Sequence, residues 1–147
     1  MTNYRQEYLD LQKKHQQELT DFPIAYAFSE KQLEDALEKL GATREECVTY
    51  MGHGDIMKRT DVPAFKAMLK RHTLELHDAL KADKEFAEAA FLYEMDNHEY
   101  AINWDGDADI FACFAIDEKM LIEWGLDDAY RNAHRAHFKH AEEWEMI

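Results

Sequence analysis

The chain has little of what many function classes require. Its two cysteines, Cys47 and Cys113, stand 66 positions apart and neither has a C-x-x-C partner, which argues against a disulfide framework and for reduced thiols used as small apolar residues. No stretch approaches the roughly 18 apolar residues of a membrane-spanning helix, and the N-terminus, MTNYRQEYLDLQKKHQQEL, lacks the apolar run of a secretory signal. The expectation is a cytoplasmic protein with no membrane partner. Bases are scarce as well: 17 Lys and Arg against 31 Asp and Glu leave a net charge of −14 with histidines neutral. Direct binding to nucleic acid needs clustered cations to release counterions, so that class is excluded, and anionic membranes are disfavoured. Five glycines and two prolines leave no room for a loop-rich fold or a low-complexity linker.

What is present can build a core, because 46% of the 147 residues are hydrophobic and 12% aromatic. Helical spacing dominates. Tyr4, Tyr8, Leu11, His15, Leu19 and Phe22 form one stripe over residues 3–20, stopped by Pro23. The apolar run 24–28 reads as a short buried strand. Ser29 and Gln32 form a capping box for the next helix, Phe28 and Leu33 are placed as its hydrophobic staple, and Gly41 ends it. Residues 47–51 and 56–59 flank Gly52-His-Gly-Asp55 as a hairpin. Asp61 and Pro63 open the longest helix, to about residue 82. Further helices are expected over 84–96, 108–114, 117–124 and from Asp127 or Asp128 onward, the last with Tyr130, Ala133, His137, Ala141 and Trp144 on one face. The fold class is α+β: a mainly helical single domain, residues 1–147, with a small antiparallel sheet of about three strands.

The charge is concentrated. Residues 1–60 hold 11 acids and 8 bases, residues 61–83 hold 4 of each, and residues 84–147 hold 16 and 5. Between 85 and 128, thirteen acids face one base, Lys119. Aromatic and aliphatic residues are interleaved with them, so a folded core is expected to hold the carboxylates in place. Neighbours three or four apart on a helix stand about 5–6 Å from each other, comparable with phosphates along a strand. A rigid acidic surface of this kind suits a protein groove built for nucleic acid. The blander role is solubility.

Catalytic and metal motifs are weak. His134, His137 and His140 spread over about 120° of a helix, and His137, at the centre of the apolar face, reads as a core histidine with a hydrogen-bond partner. Asp105-Gly-Asp-Ala-Asp109 begins like a calcium loop, but Ile110 and Ile116 stand where glycine and glutamate are needed, so a loop or helix cap is expected. Asn97-His98-Glu99-Tyr100 could support acid–base chemistry with Glu94 or His53 recruited by the fold. No nucleophile elbow, phosphate loop or dinucleotide fingerprint occurs, and neither a cofactor nor a metal is expected.

Phe22-Pro-Ile-Ala-Tyr-Ala-Phe-Ser29 with Gln32 and Lys39-Leu-Gly41, then Gly52-x-Gly54 with Lys58 and Thr60-Asp61, then Tyr93-Glu94 with Asn97-His-Glu-Tyr100, together resemble a family of small, functionally uncharacterised proteins of gut bacteria and their phages and mobile elements. The resemblance covers residues 20–104, and the chain departs from it after Trp104. Its mobile-element setting implies an anti-CRISPR-like role. The leading expectation is a non-enzymatic inhibitor in the host cytoplasm. It would bind a nucleic-acid-handling defence protein, a CRISPR effector of the Cas9 type foremost, by nucleic-acid mimicry. Glu94, Asp96, Glu99, Trp104, Asp105, Asp107, Asp109, Asp117, Glu118, Glu123, Trp124, Asp127 and Asp128 would make the contact. The alternatives are a metal-dependent or acid–base enzyme using His98 and Glu99, and a plain interaction module or homodimer.

Overall fold

The computed structural model describes residues 2–98 and 106–145. Two compact units divide the chain: Lys13–His72, and Met1–Gln12 with Thr73–Ile147. Helices α1 (Tyr4–Asp21) and α3 (Val62–Ala82) contribute residues to both. The architecture is α+β, helices with one small sheet, as the spacing predicts. Among the described residues no helix is long and apolar enough to cross a membrane.

The unit Lys13–His72 holds the sheet. Strands β1 (Ala25–Tyr26), β2 (Cys47–Val48) and β3 (Asp55–Lys58) lie in the order β1-β3-β2, all antiparallel. Ala25 pairs with Ile56 and Cys47 with Lys58. The apolar run 24–28 is thus a two-residue edge strand rather than a buried one: Tyr26 is exposed, and Phe28 is 76% exposed. Helix α2 (Glu30–Leu40) starts as the sequence predicts, with the Ser29 hydroxyl accepting the Gln32 N–H at 3.2 Å. The Gln32 side chain accepts from the Phe28 N–H at 2.7 Å, one residue before the position a capping box would use. Gly41, at φ 63, closes α2 through the left-handed conformation that costs glycine least. The Phe28 ring lies over Gly54, where an added β-carbon would meet it at 2.5 Å.

The hairpin turn is organised by Asp55. Its buried carboxylate accepts the backbone N–H groups of Tyr50, Met51 and His53 at 2.9, 3.0 and 3.2 Å. Desolvation alone would push this carboxyl up, but the backbone donors outweigh it and hold it below its ordinary value. Glu18 on α1 accepts from Arg71 and, at 2.6 Å, pairs with His72 Nε2 on α3; the Arg71 bond, followed by that of His72, lowers it from 4.5 to about 2. Both folded values lie below the unfolded ones, so both contributions are present above pH about 4.5 and are lost as pH falls through the folded values. Protection factors of the Tyr50, Met51 and His53 amides should fall as acidification below pH 3.8, the ordinary value of Asp55, protonates its carboxyl. Protection factors that stayed flat as the Asp55 carboxyl is protonated would remove this reading.

The other unit is helical. Helices α4 (Lys84–Asn97), α5 (Gly106–Phe114), α6 (Glu118–Glu123) and α7 (Asp127–Glu145) pack with the start of α1 and the end of α3. Their boundaries follow local chemistry. Asp83 accepts the Glu85 and Phe86 N–H groups at the start of α4, and Asp117 accepts the Met120 N–H at the start of α6. Tyr8, Phe91, Phe114 and Tyr130 form an aromatic core, with ring centroids 5.7 Å apart for Tyr8 and Phe114, 5.1 Å for Phe91 and Phe114, and 5.4 Å for Phe91 and Tyr130. On α7, Tyr130, Ala133 and His137 are buried as their spacing predicts, while the side chain of Trp144 lies outside the described residues.

Candidate functional site

Two features of the helical unit carry chemistry: an acidic cleft and a buried carboxylate cluster. The cleft, of about 500 Å³, lies among α5, α6 and α7. Phe111, Leu121, Ile122 and Tyr130 supply its apolar lining, and Asp107, Glu118 and Asp127 bring carboxylates to it. Ile122 is 57% exposed, so an aliphatic side chain of the cleft faces solvent. One arginine, Arg131, also lines the cleft and pairs with Asp128 and, at 3.6 Å, with Asp127.

The acids singled out from the sequence divide by environment. Asp107, Asp109, Asp117, Glu118, Glu123 and Asp128 are exposed, and Asp127 is half-buried. Asp107 also accepts the Tyr130 hydroxyl at 2.6 Å, and Asp117 caps α6. Asp107 and Asp109 lie in the first turn of α5, so the run 105–109 opens a helix rather than a cation loop. Trp124 is half-buried, edge-on to His77 at 4.9 Å and beneath the Lys81 ammonium at 5.0 Å. Glu99, Trp104 and Asp105 lie outside the described residues.

Glu94 and Asp96 have a different setting. Glu94 is 4% exposed, so its carboxylate is withdrawn from the acidic surface. Oε1 accepts the Tyr8 hydroxyl at 2.9 Å and the Gln12 amide at 3.1 Å, while Oε2 stands 2.9 Å from His98 Nε2. The four-residue spacing on α4 brings Glu94 and His98 to one face. Cys113 on α5 places its sulfur 3.5 Å from the same His98 nitrogen. Burial, followed by the Glu94 charge, pushes the Tyr8 phenol far above its ordinary value and the Cys113 thiol up to about 11. Cys113 is thus a poor thiolate nucleophile at neutral pH. Asp96, two residues on, bridges α4 to α7: its oxygens meet His137 Nδ1 at 2.7 Å and His140 Nδ1 at 3.0 Å. His137 is 2% exposed, a core histidine with its partner, as its place on the apolar face predicts.

Sequence spacing predicts the nearness of Glu94 and His98 but not the roles of Tyr8, Gln12 and Cys113. Tyr8 reads only as part of an apolar stripe and Cys113 as a small apolar residue. Their signal is tertiary, because they approach Glu94 from 86 and 19 positions away.

Fold and site together define a small acidic α+β protein with a cleft of mixed polar and apolar lining among α5, α6 and α7, to which Asp107, Glu118 and Asp127 bring carboxylates. The chain belongs to DUF7659, a family of unknown function, whose model matches residues 7–135. That match extends past both ends of the 20–104 segment, so the acidic helices α5 and α6 and the first part of α7, to residue 135, lie within the family's own span. No curated protein and no solved structure matches the chain.

Proposed function

We propose that this protein is a non-enzymatic inhibitor from a phage or mobile element of gut bacteria, acting in the host cytoplasm. It would occupy a basic nucleic-acid groove of a defence nuclease, most directly a CRISPR effector of the Cas9 type, by nucleic-acid mimicry. The observation that carries this reading is the cleft among α5, α6 and α7, where exposed carboxylates stand around apolar residues. Lys and Arg side chains of a partner combine an apolar stem with a cationic head, and the cleft offers a counterpart to each. Asp107, Asp109, Glu118, Glu123, Asp127 and Asp128 supply the charge. Ile122 is the apolar anchor. Glu94 and Asp96 support the unit from inside.

Charge should act chiefly on the rate of association. The variant Asp109→Lys/Glu118→Lys/Glu123→Lys reverses three exposed carboxylates, none of which caps a helix. Against a guide-loaded Cas9-type effector it should associate about tenfold or more slowly at low salt, lose inhibition of DNA cleavage, and keep its helical content. Tight binding by wild type that is unaffected by salt, excess DNA or the triple reversal would refute mimicry through this surface.

A second reading, an acid–base or metal-dependent enzyme using His98, is favoured by one observation: the 2.9 Å contact between His98 Nε2 and Glu94 Oε2. Glu94 is the carboxylate found beside the imidazole, and Glu99 lies outside the described residues. Turnover exceeding one event per protein molecule, abolished by His98→Ala, would separate this reading from stoichiometric inhibition.

A further inference from the structure

We propose that Glu94, His98 and Cys113 form a binding site for one zinc-class divalent ion, with Tyr8 and Gln12 orienting the carboxylate. The three candidate ligand atoms, Glu94 Oε2, His98 Nε2 and Cys113 Sγ, all lie within 4.8 Å of one another. At ordinary zinc bond lengths of about 2.0–2.3 Å, two ligands of a tetrahedron stand about 3.3–3.6 Å apart. The separations here are 3.5 Å for sulfur and nitrogen and 2.9 Å for nitrogen and oxygen. Closing such a trio around an ion requires only a small opening of the His98–Glu94 contact.

The donor set selects the ion. Calcium and magnesium prefer all-oxygen cages, whereas one thiolate, one imidazole and one carboxylate suit zinc or cobalt. The second carboxylate oxygen is already held: Tyr8 Oη and Gln12 Nε2 both donate to Oε1. This leaves Oε2 turned toward His98, which is how neighbouring hydrogen bonds fix a metal ligand's orientation. Access is available as well. Glu94 forms the buried floor, while the His98 side chain is 45% exposed and Cys113 is half-buried. Three protein ligands with an open side leave a fourth position for water or a small anionic ligand. Binding releases the Cys113 proton to solvent and takes the His98 Nε2 lone pair, leaving the proton of the neutral imidazole on Nδ1.

Chelator-treated full-length protein titrated with Co²⁺ should develop a thiolate-to-cobalt charge-transfer band that saturates at one equivalent and is displaced by Zn²⁺. Cys113→Ser should abolish the band and weaken zinc at least tenfold, and His98→Ala should do likewise. Tyr8→Phe, which leaves all three ligands in place, should weaken zinc about tenfold. Cys47→Ser should change nothing. Circular dichroism on each variant separates loss of ligand from loss of fold. Absence of stoichiometric binding by wild type overturns the site. So does an unchanged zinc affinity in Cys113→Ser, or loss of the cobalt band in Cys47→Ser.

Discussion

Phe114→Ala is expected to lower the stability of the protein by about 3–5 kcal/mol, a large share of the roughly 5–15 kcal/mol that holds a domain together. Phe114 ends α5 fully buried, and its ring meets those of Tyr8 and Phe91. Truncation removes both aromatic contacts and leaves a void at a point where α1, α4 and α5 supply side chains. Its backbone carbonyl, which His77 Nε2 meets at 2.8 Å, is untouched, so the loss is one of packing. Chemical denaturation followed by tryptophan fluorescence reports on this unit, because Trp104, Trp124 and Trp144 all belong to it. Phe111→Ala, at a half-buried ring, should cost clearly less. Equal effects at the two positions would mean that burial does not set the cost.

Glu94→Ala is the second large effect, expected at about 3 kcal/mol in the metal-free protein and arising from what it leaves behind. The Tyr8 hydroxyl is buried and donates to Glu94 Oε1; without the carboxylate it is an orphaned donor, and each such group costs about 1–3 kcal/mol. Gln12 and His98 lose the same acceptor. The loss should shrink in the double variant Tyr8→Phe/Glu94→Ala, because removing both partners of a buried hydrogen bond is gentler than removing one. Additive losses in that cycle would show that the Tyr8–Glu94 bond contributes nothing of its own.

Elements whose signals are local were legible in the chain. The starts of α2 and α6 follow from Ser29 and Asp117 accepting N–H groups three residues on, and the end of α2 from Gly41. The face of α7 followed from the spacing of Tyr130, Ala133 and His137. Strand β1 was less legible. An apolar run cannot reveal how many of its residues find a partner, and only Ala25 and Tyr26 pair with β3. The Phe28 ring went to Gly54 because a glycine there leaves room for it.

Among the candidate site residues, charge and position along the chain were readable but burial was not. Glu94 and Glu118 are the same residue type in the same acidic block, yet one is sealed beneath Tyr8 and Gln12 and the other lines an open cleft. The sequence by itself determined the helices, their caps and faces, and the gathering of negative charge into residues 85–128, since each depends on neighbours within a few positions or on a simple count. The tertiary structure alone decided which carboxylates face solvent, that Asp96 holds both His137 and His140, and that Cys113 meets His98 and Glu94. Those pairings join residues as many as 44 positions apart, and periodicity within a helix carries no information about what another helix brings to its face.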